Sequence, residues 1–234
     1  LSRGLGDVYK RQIPTGIEVE RFFKENIKED DVSDLRKRLK LNKKDFIILF
    51  VGRLAEEKNV EFLIYAQQEL VKKSKNIKLI IVGDGPDKEK YEKLSNKLGL
   101  SDNIIFTGKA AWDDMPYYYH ISNVFATASK TETQGLTIIE AMASNVVPIC
   151  MKDEAFQSMV TEELNGLFFE TKEEYEKQII RLYENPKELQ RFDKQARIQA
   201  EHYSSKNYAD RVLEVYNRAC LLYTSPSPRD RQKS

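Results

Sequence analysis

Short, wholly apolar runs alternate with longer amphipathic ones along most of this chain. "FIILFV" (Phe46–Val51) leads to "KNVEFLIYAQQELVKK", in which Val60, Leu63, Ile64, Gln67 and Val71 fall at helical spacing. "IKLIIVG" leads through "DGP" to "DKEKYEKLSNKLGL", with Gly99 as the expected C-terminal cap. "NIIFTG" precedes "WDDMPYYYHIS", "NVFATAS" precedes "TETQGLTIIEAMAS", and "VVPIC" precedes "EAFQSMV", which makes five strand-helix steps. After "NGLFFE" the period becomes helical throughout, predicting three helices over residues 173–183, 186–203 and 206–218. Strands apolar at every position belong to a parallel sheet covered on both faces. The expected fold is therefore α/β, a Rossmann-like doubly wound parallel sheet ending in consecutive helices.

Open sheets of this kind bind ligands beyond the carboxyl ends of their strands, where the strand order reverses. The residues to examine are those just after the strands: Gly52 and Arg53, residues 83–86, Gly108 and Lys109, and residues 129–137.

Composition narrows the partner. The 234 residues carry 38 basic and 37 acidic side chains, a formal +1, so no global field favours nucleic acid or an anionic membrane. Two cysteines in unrelated contexts, Cys150 and Cys220, give neither a disulfide framework nor a metal-ligand spacing and fit a reducing, cytoplasmic setting. The longest apolar runs are far below the roughly 20 residues of a spanning helix. "LSRGLGDVYKRQ" (residues 1–12) and "CLLYTSPSPRDRQKS" (220–234) show no helical or strand period and resemble translated adapter read-through, so residues 13–219 are expected to be the folded body. Each terminal stretch carries a formal +2; without them the body is at −3.

"TETQGLTIIEAMAS" holds the most chemistry. With a helix starting near Gly135, the amides of Gly135, Leu136 and Thr137 are among its unpaired first-turn donors, at the positive end of the helix dipole. Such an end holds an anion, and Gly135 lets it approach the backbone. Glu132 precedes the turn and Glu140 lies roughly 7.5 Å further along the axis, one carboxylate at each end of a diphosphate-sized gap. Carboxylates repel phosphate, so their partners would be flanking hydroxyls, as on a nucleoside diphosphate sugar. The plainer alternative is an ordinary helix start, with Glu132 as a capping acid and Glu140 in solvent. In "VGRLAEEKN", Arg53 and Lys58 offer a two-pronged and a mobile cation at the same sheet edge, or simply a charged helix start.

Taken in order and at their spacing, "GRLAEEKN", "VGDGP", "FTG" and "TETQGLTIIEAMAS" resemble the C-terminal, donor-binding half of retaining GT-B glycosyltransferases of family 4. The resemblance covers residues 13–219, includes "IPTGIEVERF" as the segment joining the two halves, and implies an N-terminal acceptor half outside this chain. It implies that Glu132 meets the donor sugar and Glu140 the ribose. Arg53 and Lys58 then hold the diphosphate, with Glu132 counted among the catalytic groups. Gly52, Gln134, Gly135, Leu136 and Thr137 line the donor, and Gly108 and Lys109 face the base. The partner implied is a nucleotide-sugar donor, most plausibly a uridine diphosphate sugar. Without an Asp-x-Asp triplet in the body, no metal or other cofactor is expected.

The chain departs from the family at Thr15, where asparagine is usual, and at Asn145, where glycine is common; Asn tolerates a positive φ. "TETQGLT" with "KDEAF" looks most like bacterial diacylglycerol glucosyltransferases, implying a lipid or glycan acceptor and peripheral membrane association through the other half. Competing readings are a non-catalytic nucleotide-sugar binding module and a GT-B-fold epimerase, which would need a histidine at the cleft. Other features read as structural: "VGDGPDKEK" as a tight turn bordering the donor, His120 as a packed helix residue, Trp112 as packing near the base loop. "RKRLKLNKK" (residues 36–44) reads as a short solvated helix with Leu35 and Leu39 inward.

Overall fold

The computed structural model describes residue 13, residues 15–129 and residues 135–224, with side chains up to residue 220. Among these, β1 (Phe46–Val51), β2 (Ile77–Val82), β3 (Ile104–Gly108), β4 (Val124–Thr127), β5 (Val147–Met151) and β6 (Leu167–Phe169) form one sheet in the order β3-β2-β1-β4-β5-β6. Every pairing is parallel. The five expected strands are all present. The sixth, β6, lies in the stretch "NGLFFE" and is only three residues long.

Burial on both faces follows from the strand sequences. Phe46, Ile48 and Phe50 of β1 join one core with Leu79 and Ile81 of β2. Ile47 and Leu49 join the other with Ile80 and Val82. The first core is capped by α2 (Val60–Lys73), α3 (Lys88–Lys97) and α7 (Lys172–Glu184). The second is capped by α1 (Glu29–Arg38), α4 (Met115–His120), α5 (Leu136–Ala143), α6 (Glu154–Gln157) and α8 (Pro186–Glu201). Each fully buried aliphatic side chain contributes roughly 1.5–3 kcal/mol, so this two-sided layer dominates the stability.

Local expectations hold with specific corrections. Gly99 sits at φ 71 just past α3, as expected of a cap. Asn145 adopts φ 60, keeping the turn that glycine would make. The basic run 36–44 is not itself a helix: α1 starts earlier and stops at Arg38, and Lys40 at φ 55 turns the chain. Acids Glu29, Asp30 and Asp31 occupy its first turn and Arg36, Lys37 and Arg38 its last, the arrangement that suits the helix dipole. Leu35 is buried, and Leu39 packs half-buried beside it. "EAFQSMV" makes only the single turn α6.

The final helix, α9 (Ser205–Thr224), runs past residue 219. Residues 220–224 are thus helical, contrary to the aperiodic reading of that stretch. The segment entering the domain is latched to the corner before α9. The Ile17 amide donates to Tyr203 O at 2.9 Å, and the Ser205 amide to Ile17 O at 2.9 Å. Tyr208, Leu213 and Tyr216 on α9 remain exposed.

Candidate functional site

The strand order reverses between β1 and β4. The chain runs outward from β1 through β2 to β3, then returns to pair β4 beside β1. The loops leaving these strands meet at one end of the sheet, where ligands of such folds bind.

The exits of β1 and β2 touch backbone to backbone. The Gly52 amide donates to Val82 O at 3.0 Å, and the Leu54 amide to Asp84 O at 3.0 Å. The Asp87 amide closes the pair onto Leu54 O at 3.0 Å. Gly83 has φ 149, and a Cβ added there would collide with the Gly52 carbonyl oxygen. From the β3 exit, Gly108 O accepts from the Gly83 amide at 2.9 Å, and Gly108 itself takes φ 71.

These three exits enclose a cleft of about 590 Å³. Its walls are Val51, Gly52 and Arg53 after β1, Val82 to Gly85 after β2, and Lys109 and Ala110 after β3, with Met115 at the start of α4. Gly52, Arg53 and Lys109 are thereby brought together as expected, and the "VGDGP" turn borders the same space while feeding α3. Arg53 and Lys109 are both exposed cations on an otherwise glycine-rich rim.

Lys58 and α5 are not part of that lining. Lys58 ends a 3-10 turn, Glu56–Lys58, between β1 and α2, and is half-buried. Its loop reaches the β4 exit: Ser129 Oγ donates to Glu57 O at 3.5 Å. Glu132 and Gln134 lie outside the described residues.

Helix α5 begins as expected, with Gly135 as its N-terminal cap at φ 56. Glycine brings no side-chain oxygen to cap the first turn. The Gly135 carbonyl takes the Ile138 amide at 2.9 Å, while the amides of Leu136 and Thr137 donate to no backbone acceptor among the described residues. Gly135 is favoured by its left-handed backbone, whereas an added Cβ would meet only the movable tip of Met159, its Cε. The expected reason for the glycine was close approach of an anion; its backbone conformation is a reason independent of any ligand.

Glu140 is not in solvent. It is 6% exposed, and its Oε2 accepts a 2.7 Å hydrogen bond from the hydroxyl of fully buried Tyr119. Burial pushes its carboxyl above the ordinary glutamate range, against the opposing pull of Tyr119 and the positive charge of Arg21. A buried carboxylate in the second turn of α5 argues against the plain surface-helix alternative.

Tyr119 was not separable from its neighbours by sequence. Tyr118 and Tyr119 are buried and Tyr117 is half-buried, bonded to Asp31 at 2.9 Å. Its position four residues after Met115, on one face of α4, is the signal that distinguishes it. Arg21 also went unmarked; its guanidinium lies 4.6 Å from the Trp112 ring and donates to Trp112 O at 3.2 Å. Trp112 packs against Arg21 and Phe22 on one side while remaining 58% exposed. His120 is a packed helix residue, its Nε2 2.9 Å from Phe22 O.

A larger cleft of about 730 Å³ lies at the β5 and β6 exits, lined by Lys152, Glu162, Glu170 and Glu174. Size and chemistry disagree here, because Lys152, Glu162, Glu170 and Glu174 are engaged with the protein. Lys152 pairs with Glu170 at 2.6 Å, and Glu162 accepts from the Phe168 amide at 2.9 Å. The smaller glycine-rimmed cleft at the switch point is the better site.

The fold and this site define a class: the chain has the architecture of the C-terminal half of a GT-B protein. Anabaena HepE, solved in complex with UDP and glucose, superimposes with a TM-score of 0.78 at 20% identity, over 88% of this chain and 56% of that one. Residues 31–199 match the family described as glycosyl transferases group 1, and the chain belongs to that family. Alpha-monoglucosyldiacylglycerol synthase of Acholeplasma laidlawii is 35% identical over 204 residues, 87% of this chain and 51% of that protein. The synthase of the same name from Streptococcus pneumoniae is 32% identical over 162 residues, 69% of this chain and 37% of that protein. The chain thus spans about half the length, or less, of these relatives.

Proposed function

We propose that the chain is the donor-binding half of a retaining, metal-independent glycosyltransferase that takes a uridine diphosphate hexose. The acceptor is a membrane glycerolipid, bound by an N-terminal half, and the work is done at the cytoplasmic face of the membrane. The observation that carries this reading is the switch-point cleft, where glycine backbones bring Arg53 and Lys109 to one rim. The names of the two synthases support the lipid acceptor, and the UDP in the HepE complex supports the nucleotide.

Breaking the bond between the sugar and the diphosphate leaves positive charge at the anomeric carbon and new negative charge on the leaving phosphate. Groups already aimed at that phosphate lower the barrier without having to reorganise. Arg53, Lys58 and the amides of Leu136 and Thr137 fill this role, with Glu132 on the sugar, Glu140 on the ribose, and Gly108 and Lys109 toward the base. The acceptor hydroxyl then attacks from the face the diphosphate leaves and passes its proton to the departing phosphate oxygen, so the configuration is retained without a protein nucleophile.

Calorimetry of the chain with UDP, GDP and ADP and their glucose conjugates tests the reading. UDP is expected to bind best, with Arg53→Ala weakening it at least tenfold, about 1.4 kcal/mol or more, by loss of a charge-assisted contact. Undiminished UDP affinity in that variant would remove Arg53 from the diphosphate. In a two-domain enzyme, Glu132→Ala should abolish transfer yet spare UDP binding. A variant that still transfers sugar excludes Glu132 from the reaction, and UDP binding without any transfer by the two-domain wild type leaves a non-catalytic binding module.

A further inference from the structure

Tyr119 of α4 and Glu140 of α5 form a buried polar pair whose two carboxylate oxygens are treated unequally. Met115 lines the cleft at the start of α4, and Tyr119 lies on the same face about one turn, roughly 6 Å, deeper. The Tyr119 ring is held on two sides, edge-on to Phe22 at 5.7 Å and tilted against Phe125 at 6.4 Å. Its hydroxyl therefore has a fixed position, and it donates to Glu140 Oε2 at 2.7 Å. Glu140 Oε1 accepts no hydrogen bond among the described residues.

Resting on the donor reading above, we propose that Tyr119 is a positioning residue. It grips Glu140 from behind through Oε2 and so presents Oε1 to the ribose hydroxyls of the bound nucleotide. Glutamate has three side-chain torsions, and an unheld carboxylate would lose orientation on the binding side. An aromatic hydroxyl locked between two rings removes that freedom before the nucleotide arrives.

The electrostatics agree with this geometry. Burial, then the nearby Glu140 charge, pushes the Tyr119 hydroxyl well above its ordinary range, so it stays protonated and keeps the hydrogen it donates to the carboxylate. Tyr119 from α4 and Arg21 from the Val19–Phe22 turn are the groups that pull the Glu140 carboxyl back toward ionisation. Helix α8 meets α5 through Ala196 and Ala200, which bring no charge. Arg21 is itself held away by Asp113 at 3.1 Å, which leaves Tyr119 as the direct contact.

The test titrates wild type and Tyr119→Phe with UDP and with 2′,3′-dideoxyuridine 5′-diphosphate. Wild type is expected to prefer UDP, and Tyr119→Phe to lose about tenfold on UDP and nothing on the dideoxy analogue. The UDP affinity of Tyr119→Phe should also begin to fall at a higher pH than that of wild type as the solution is acidified, because the hydroxyl no longer favours the carboxylate. Equal losses on both nucleotides, or none on either, overturn the proposal, since a merely structural tyrosine cannot tell a ribose from a dideoxyribose. In a Glu140→Ala background, where Tyr119 has nothing left to hold, the Tyr119→Phe change should leave UDP affinity unmoved, and a further tenfold loss there would equally overturn it. Failure of wild type to bind UDP overturns the donor reading itself, a result distinct from these.

Discussion

Glu140 is a burden to the folded chain without its ligand. A carboxyl whose value is raised by burial holds its proton more tightly folded than unfolded, so it favours the fold at low pH. That advantage disappears as the pH rises from the ordinary 4.5 through the raised value. Glu140→Gln, whose carbonyl still accepts from Tyr119, is expected to melt above wild type at pH 7.5, with the gap closing toward pH 4.5. Thermal melts followed by circular dichroism decide this, and a lower midpoint at pH 7.5 would refute the burial account. Asp193 behaves alike, pushed up from 3.8 to about 6 by burial. Asp193→Asn should gain stability above pH 6 and none below 3.8. Only Asp193→Asn should do so without weakening UDP, which separates a residue tolerated for function from one merely half-buried.

Elements were legible in proportion to their length and period. Helices α7, α8 and α9 were read to within a residue or two at most of their ends, because ten or more residues repeat the helical spacing; the C-terminus of α9 is the exception. Strand β6 was missed because three residues cannot display alternation. The basic run after Leu35 misled because its lysines suit a helix in composition, while Lys40 stands in a left-handed turn that composition does not announce. Glycines show what sequence conceals: Gly99 and Gly83 look equivalent in a motif, yet differ in surroundings. Around Gly99 nothing lies within 4 Å of an added Cβ, so Gly99→Ala should cost about 1 kcal/mol for its left-handed φ alone. Gly83→Ala also meets the Gly52 carbonyl and should cost at least about 3 kcal/mol. Urea denaturation of the two variants gives the comparison, and equal costs would mean that the loops are not in contact.

At the scale of the whole molecule, the sheet topology was readable because each strand is followed by a helix, but the grouping of loops was not. That Arg53 and Lys109 share one rim depends on β3 folding outside β2 and on the return to β4 beside β1. Lys58, five positions after Arg53 in sequence, is not among the residues lining that cleft. Entry and exit of the chain are likewise joined only in space, through Ile17 and the α8–α9 corner. Gly16→Val would drive a side chain into Ser204 and Tyr208 there. Faster amide exchange in α9 with the sheet unchanged is expected; uniform acceleration would show that the latch supports the entire domain. The bare contact between Gly83 and Gly52 has a similar reach. It acts as a gauge block of zero thickness between the loops that leave β1 and β2, so their spacing is written into the chain as an absence of atoms. Any residue larger than hydrogen at that point would respace the grip while leaving every charged side chain in place.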